Sequence, residues 1–552
     1  MAFEDLLDRV GGTGRFQIIS VFLLALPVLF IANHNLLQNF TAAIPGHHCQ
    51  LPPIDNANSS WVAGSVKLEK AFIPLDRSYR PERCLRYTRA QWWLLESNVT
   101  VTNTTEMDTE SCKDGWTYDR SEFSSTIITE WDLVCGQRAM KQMGQSIYMA
   151  GVLVGAIVFG SLSDRFGRRT ILIWSHLLLA VMGVCAAFSY NFVSYCVFRF
   201  LTGTAISGIG LNTVCLIVEW IPTRLRAIVG TSTGYFYTFG QIFLAGLAYA
   251  IRDWRWLQLT ASLPFFIFFI CSWFLPESAR WLILTKKPEQ AVRMLKKVAK
   301  INRRHEEGEK LTIEVLKSNM KKEVAASEFT YSAVDLVRTA IIRRISFCLS
   351  LVWFSTSFSY YGLAMDLQSF GDNIYLIQVI FGAVDIPAKL ICATAMCYIG
   401  RRITLNASLI LASLAILANI FVPKDMHILR TSLAVFGKGC LASSFNCVFL
   451  YTTELYPTVI RQSGLGLGQT MARVGGIVAP IVKMTSEYMS SLPPIIYGGA
   501  PLVSGIIACF LPETKDQPLP ETIEEVEERL NKLKNTEEMQ EKLDIPMFKN
   551  AC

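Results

Sequence analysis

The run GLGLGQTMARVGGIVAPIV (464–482) is apolar enough to cross a bilayer, yet it carries one full charge, Arg473. At a rise of 1.5 Å per residue the guanidinium sits about 15 Å into a hydrocarbon core of roughly 30 Å. A cation at that depth costs at least about 2.5 kcal/mol, so it must face a bundle interior or a water-filled cavity. A guanidinium there can hold a carboxylate or sulfonate bidentately. The rival reading is an arginine locked to an internal acid. Asp385 is the one carboxylate placed well inside any apolar run, which weakens that reading.

Lys389 is a second deep cation, in FGAVDIPAKLICATAM. Asp385 lies four residues earlier on the same helix face, so Lys389 could simply pair with it, or, where Pro387 between them kinks the helix and opens that pair toward the cavity, hold the substrate. Lys438 and Arg199 lie nearer helix ends and could snorkel or pair across helices. Trp353, Tyr360 and Tyr361 share one face of their run, Phe445 and Phe449 share another, and TGYFYTFGQ carries Tyr235, Tyr237 and Phe239. Such stripes are more often packing than pocket. Beside a fixed cation, however, rings would cover the apolar body of a flat amphipathic anion. His34, Asn35 and Asn212 could add polar contacts.

The elements that must position these groups follow from composition. The 552 residues are 51% hydrophobic and 18% charged, with a mean hydropathy of +0.33. Twelve apolar runs can span a bilayer: 16–37, 143–162, 171–190, 193–217, 227–250, 256–275, 345–365, 374–396, 404–421, 430–451, 464–484 and 493–511. The net charge of +7 is loop charge that orients the chain, and nucleic-acid binding is not expected. The expected organisation is a cytoplasmic segment 1–15, a six-helix bundle 16–275, a cytoplasmic loop 276–344, a second bundle 345–511 and a cytoplasmic tail 512–552. The opening residues carry both charge signs and lead into a run too long for a cleaved signal. Leu6, Leu7 and Val10 could face a membrane interface. The tail reads as a solvated charged helix.

Loop 38–142 holds Cys49, Cys84, Cys112 and Cys135 beside glycosylation triplets at Asn39, Asn58, Asn98 and Asn103, which suits an oxidising, extracellular compartment. Four cysteines allow three pairings; Cys49–Cys112 with Cys84–Cys135 is favoured. The GHHC run (46–49) could hold a metal, but a disulfide neighbourhood is the better reading, and no metal is expected. Loop 276–344 is rich in Lys and Arg and lacks cysteine, which places it in the cytoplasm with both termini.

Three motifs recur. GRR at 167–169 returns at 400–402, EWIPTRLR (219–226) returns as ELYPTVIR (454–461), and LPES (275–278) returns as LPET (511–514). Nearly equal offsets of 233, 235 and 236 residues argue for a duplicated six-span half. The repeat places acids and bases at helix ends: Asp164, Arg168, Glu219, Arg226, Glu277 and Arg280, then Arg402, Glu454, Arg461 and Glu513. These could be ion pairs that break and reform as the halves rock, or simple helix caps.

GSLSDRFGRR (160–169) resembles the loop between the second and third helices of the major facilitator superfamily. PESARW and PETKDQPLPETIEE resemble its sugar-porter and organic-ion subfamily. LLQNFTAAIPGHHC, STIITEWDLVC, SYYGLAMDLQ, FGAVDIPAK, GKGCLASSFN and ELYPTVIRQSGLG resemble the organic anion transporters, closest to the organic anion/dicarboxylate exchangers. The resemblance covers nearly the whole chain. It implies an all-α membrane protein of two pseudo-symmetric six-helix bundles. It implies antiport of organic anions such as para-aminohippurate against intracellular dicarboxylate (2-oxoglutarate), by a monomer in the plasma membrane, basolateral in epithelium. It implies a cavity lined at Tyr237, Trp353, Tyr360, Tyr361, Phe445 and Phe449, and a basic residue at Arg473 where organic cation relatives carry an acid. Gly210 stands where close relatives carry a serine near a proposed chloride position, which argues against chloride dependence; no other cofactor is implied. An organic cation or zwitterion carrier of the same family is the alternative. No P-loop sequence occurs, and no loop is large enough for a catalytic domain, so neither a nucleotide-driven pump nor an enzyme is expected.

Overall fold

The structure is a computed structural model. It describes residues 7–51, 65–75, 80–92, 108–285, 287–316, 334–371, 373–423, 425–457, 459–515, 517, 520 and 522–529, apart from a few side chains. Twelve membrane-length elements follow one another: α1 Arg15–Leu36, α2 Ala139–Phe166, α3 Arg168–Ala187, α4 Phe192–Trp220, α5 Thr223–Ala250, α6 Trp254–Ser272, α7 Ala340–Ala364, α8 Ile374–Tyr398, α9 Arg401–Phe421, α10 His427–Leu455, α11 Arg461–Met484 and α12 Leu492–Ala508. Ten are long and apolar by composition; α12 is shorter, and α5 carries more polar residues. Within a bilayer a helix satisfies its own backbone, which is why apolar runs of this length take no other form.

Two elements break where sequence requires it. α6 divides at Leu263, just before Pro264, and α8 divides at Val384, three residues before Pro387. Proline removes a ladder donor and crowds the preceding turn. The second break sets Asp385 at the start of a new helical segment.

The helices sort into two halves, each with its own apolar core. Within the first half, α2 and α4 meet backbone to backbone: a Cβ at Gly151 would lie 2.1 Å from the Phe200 carbonyl oxygen, and one at Gly203 would lie 2.3 Å from that of Tyr148. Between halves, α2 packs along α11 and α5 along α8. A third core belongs to both halves and mixes Leu36, Leu37 and Phe40 with Leu363, Tyr375, Ala479 and Tyr497.

The sequence repeat has a structural counterpart. Gly167 (φ 100°) and Gly400 (φ 115°) precede α3 and α9 in a conformation that favours glycine. A Cβ would lie 2.4 Å from Glu277 Oε2 in the first case and 2.7 Å from Glu513 Oε2 in the second. Each glutamate accepts backbone N–H groups at the helix start, from Arg168 and Arg169 or from Arg401 and Arg402. A carboxylate there matches the positive end of the helix dipole.

Between α1 and α2 the chain forms two antiparallel ribbons: β1 His47–Cys49 with β4 Trp116–Tyr118, and β2 Leu85–Tyr87 with β3 Thr109–Ser111. Cys49–Cys112 and Cys84–Cys135 staple them, with Cα separations of 5.1 and 5.6 Å. His47 lies against Cys84 and Cys135, but both sulfurs are spent in the disulfide, so this cluster is not a metal donor set. Burial holds the His47 imidazole below its ordinary value.

At the opposite end, the amphipathic helix Pro288–Ile301 buries Ala291, Val292, Leu295, Val298 and Ala299. Asn302 then clasps the chain entering α1. Its Nδ2 donates to the Val10 and Gly11 carbonyls (3.1 and 2.9 Å), and its Oδ1 accepts from Phe16 N–H (2.9 Å). Leu7 and Val10 are therefore core residues of the first half rather than an interfacial face, because the basic loop folds over them; Leu6 lies outside the described residues. The described start of the tail also differs from a solvated helix, since Val526 is buried in the second half's core.

Candidate functional site

Arg473 projects from the middle of α11, on the face turned to the other half: one turn on, Ile477 packs into the first half's core and its carbonyl accepts from Ser146 Oγ at 3.0 Å. Its hydrogen bond runs from Nη1 to the Gln469 carbonyl, 3.4 Å away on its own helix. Among the described residues no ion pair includes it. Tyr361 of α7 lies beside it, with its ring 3.4 Å from where a Cβ at Gly476 would stand. Gly466, two turns back along α11, borders open space, as do Gly230 on α5 and Gly210 on α4.

Around this position the structure gathers the six aromatic residues. Trp353 donates from Nε1 to Thr452 Oγ1 (3.0 Å), and its ring meets Phe445 and Phe449 edge-on at 6.3 and 6.4 Å. Tyr360 meets Phe445 and Tyr361 edge-on at 5.4 and 5.6 Å. Tyr237 of α5 faces Tyr361 from the other half and accepts from Asn35 Nδ2 at 3.2 Å.

Lys389 does not pair with Asp385. Its Nζ crosses to α5, donating to the Gly234 carbonyl and Thr238 Oγ1, both at 2.9 Å, and it lies 5.6 Å from the centre of the Tyr235 ring. Asp385 is taken by Lys438 at 2.8 Å and by Gln241 Nε2 at 2.9 Å, all three buried. Lys438, ranked lower from sequence, is thus the internal partner: α10 brings its ammonium to the helix break, where it also donates to the Phe381 carbonyl. A pairing 53 residues apart leaves no local signal.

Two expected polar contacts lie elsewhere. His34 is fully buried within the first half against Phe265, at 5.7 Å. Asn212 is satisfied inside the same half, accepting from Ser163 and donating to the Gly208 carbonyl (2.5 and 2.7 Å). Neighbouring helix positions differ by about 100°, so Asn33, His34 and Asn35 cannot all turn to the seam; Asn35 is the one whose amide reaches Tyr237 there.

Several helix-end charges pair within their own halves. Arg168 pairs with Asp164 (2.9 Å) and Glu219 (3.5 Å). In the second half Arg401, and not Arg402, pairs with Glu454 at 3.1 Å. The repeat offset of 233 aligns Arg168 with Arg401, a correspondence the sequence already held. Arg402 donates to the Leu511 carbonyl, Arg226 to Ile221 and Arg461 to Tyr456. Arg280 lies near Glu219. As seen here, Glu277 and Glu513 act as helix caps.

Contacts between the halves concentrate at the disulfide-bearing end. Asn39 Nδ2 donates to the Ala364 carbonyl (2.8 Å), Ile44 and Gln368 exchange two hydrogen bonds (3.1 and 3.2 Å), and Arg138 pairs with Glu487 (2.6 Å). Asn39 is therefore buried and its amide engaged, which removes it as a glycan site in this conformation. Asn58, Asn98 and Asn103 lie outside the described residues.

Two six-helix halves packed about a polar seam define a secondary transporter of the major facilitator type. Residues 97–526 match the sugar (and other) transporter family. The chain is 60% identical to solute carrier family 22 member 6-A of Xenopus laevis, over 98% of this chain and 97% of that one. It is 57% identical to solute carrier family 22 member 6 of Danio rerio, over 100% and 99%. It is 54% identical to organic anion transporter 3 of Pongo abelii, over 96% and 94%. A partially occluded, inward-open structure of the E. coli xylose transporter XylE superposes with a TM-score of 0.60 at 15% identity, over 90% of this chain and all of that one. The chain belongs to the organic anion transporter branch of solute carrier family 22.

Proposed function

We propose that this protein carries organic anions across the membrane by alternating access, with Arg473 as the anchor for the anionic head. The observation that carries the reading is a guanidinium inside a span, turned to the seam, with no carboxylate paired to it among the described residues. Away from the helix ends, the cations Arg199, Lys389, Lys438 and Arg473 outnumber the one acid, Asp385, so the interior favours a negative passenger. The organic cation alternative would need a free acid there, and Lys438 occupies Asp385. The rings of Trp353, Tyr360, Tyr361, Phe445 and Phe449 suit the apolar body of such a ligand.

Exchange against an intracellular dicarboxylate is the finer proposal. Lys389, which also lacks a carboxylate partner among the described residues, supplies a second cation for a second carboxylate. The disulfide-bearing end lies outside the cell and the basic helix and termini inside, in the plasma membrane. Halves joined at the disulfide-bearing end then make this an inward-facing state.

Removing the guanidinium tests the anchor. Arg473→Ala is expected to cut para-aminohippurate uptake about a hundredfold at normal surface levels, the scale of a charge-assisted bidentate contact; wild-type uptake would sink the reading. Preloading cells with 2-oxoglutarate is expected to accelerate entry. Equal rates with and without preloading would remove exchange and leave facilitated transport standing.

A further inference from the structure

Arg199 of α4 is fully buried, and among the described residues it has no ion-pair partner. Its Nη2 donates to the His34 carbonyl at 3.3 Å, while Nε and Nη1 have no partner. Its guanidinium carbon lies 4.2 Å from the centre of the Tyr148 ring, a contact made possible by the close approach of α2 and α4 at Gly203. The Tyr148 hydroxyl is 2.5 Å from Asn35 Oδ1, and Asn35 Nδ2 is 3.2 Å from the Tyr237 hydroxyl. Tyr237 lies across the seam from Tyr361, and Tyr361 stands beside Arg473. A line of hydrogen-bonded side chains thus runs from Tyr148, against the buried Arg199, to Tyr237 at the seam.

Each phenol in the line has a single proton to give. An amide can lie either way round in such a chain, and the cation decides which. A positive charge against the Tyr148 ring makes that hydroxyl a better donor and a poorer acceptor. Tyr148 therefore gives its proton to Asn35 Oδ1. Asn35 must then donate to Tyr237, so the Tyr237 proton is left for the seam.

We propose that Arg199 and Tyr148 are positioning residues that set the direction of this chain, so that Tyr237 presents a donor to the head of the passenger. The site beside Arg473 then accepts a carboxylate and disfavours a head group that itself donates, such as an ammonium. This rests on Arg473 being the anion anchor.

The test measures KM and Vmax for para-aminohippurate with the full chain in cells, normalised to surface protein. Tyr237→Phe is expected to raise KM about tenfold, and Tyr148→Phe by roughly three- to tenfold, with Vmax unchanged. The double variant is expected to be no worse than Tyr237→Phe alone, because both changes remove the same terminal donor. Arg199→Lys keeps the cation over the ring and should preserve KM. Additive losses in the double variant, or wild-type KM in Tyr148→Phe at normal surface levels, would overturn the proposal. If Arg473→Ala loses uptake while both tyrosine variants behave as wild type, the anchor stands and the chain falls. If Arg473→Ala transports normally, the anchor itself falls.

Discussion

At the scale of single residues, charge inside the membrane separates into two kinds. Lys438 and Asp385 satisfy each other, with Gln241 from the opposite half completing the carboxylate's bonds. Arg473 and Lys389 have donors to spare and no acid among the described residues. Removing one member of a buried pair leaves an uncompensated charge, at a cost of about 3–5 kcal/mol. Asp385→Asn is therefore expected to lower the thermal stability of the purified protein strongly, and Asp385→Asn with Lys438→Met to recover much of it. Equal stability for the single variant and wild type would contradict the pairing. Sequence placed both lysines in the membrane but offered Lys389 alone as a partner for Asp385, because i,i+4 spacing is visible in a string and a neighbouring helix is not.

At the scale of elements, the repeat explains why α3 and α9 begin alike. A glycine of positive φ opens each helix and leaves room for a glutamate that caps its first N–H groups. Any side chain at these glycines meets both backbone strain and the carboxylate. Gly400→Ala is expected to destabilise by about 1–3 kcal/mol, read as a fall in Tm, and an unchanged Tm would rule out the cap geometry. The prolines act equally locally: Pro264 and Pro387 divide α6 and α8 at positions the chain itself specifies. The clasp of Asn302 on the entry to α1 had no such mark, since an asparagine in a basic loop reads as surface until the fold brings residues 10 and 302 together.

At the scale of the whole molecule, the halves touch most at the disulfide-bearing end, while at the other end the Arg168–Glu219 and Arg401–Glu454 pairs each lie within one half. The Arg138–Glu487 pair is partly exposed, and such pairs contribute about 0–1 kcal/mol. Arg138→Glu is thus expected to shift the balance between the two faces only about two- to threefold, measured as labelling of a cysteine introduced at the seam, and Glu487→Arg in the same chain should restore it. A change in Arg138→Glu that the second substitution leaves uncorrected would exclude the pair as the cause. The sequence by itself determined twelve spans, two related halves and a cation deep in the eleventh span, because hydropathy, proline and charge act over a few residues or repeat at a fixed offset; of three possible disulfide pairings the tertiary structure decided one. The tertiary structure alone decided that Lys438 holds Asp385, that Asn35 and not His34 turns to the seam, and that Asn39 is shut between halves. Those outcomes depend on which helix lies against which, and distances between helices are written nowhere along a chain.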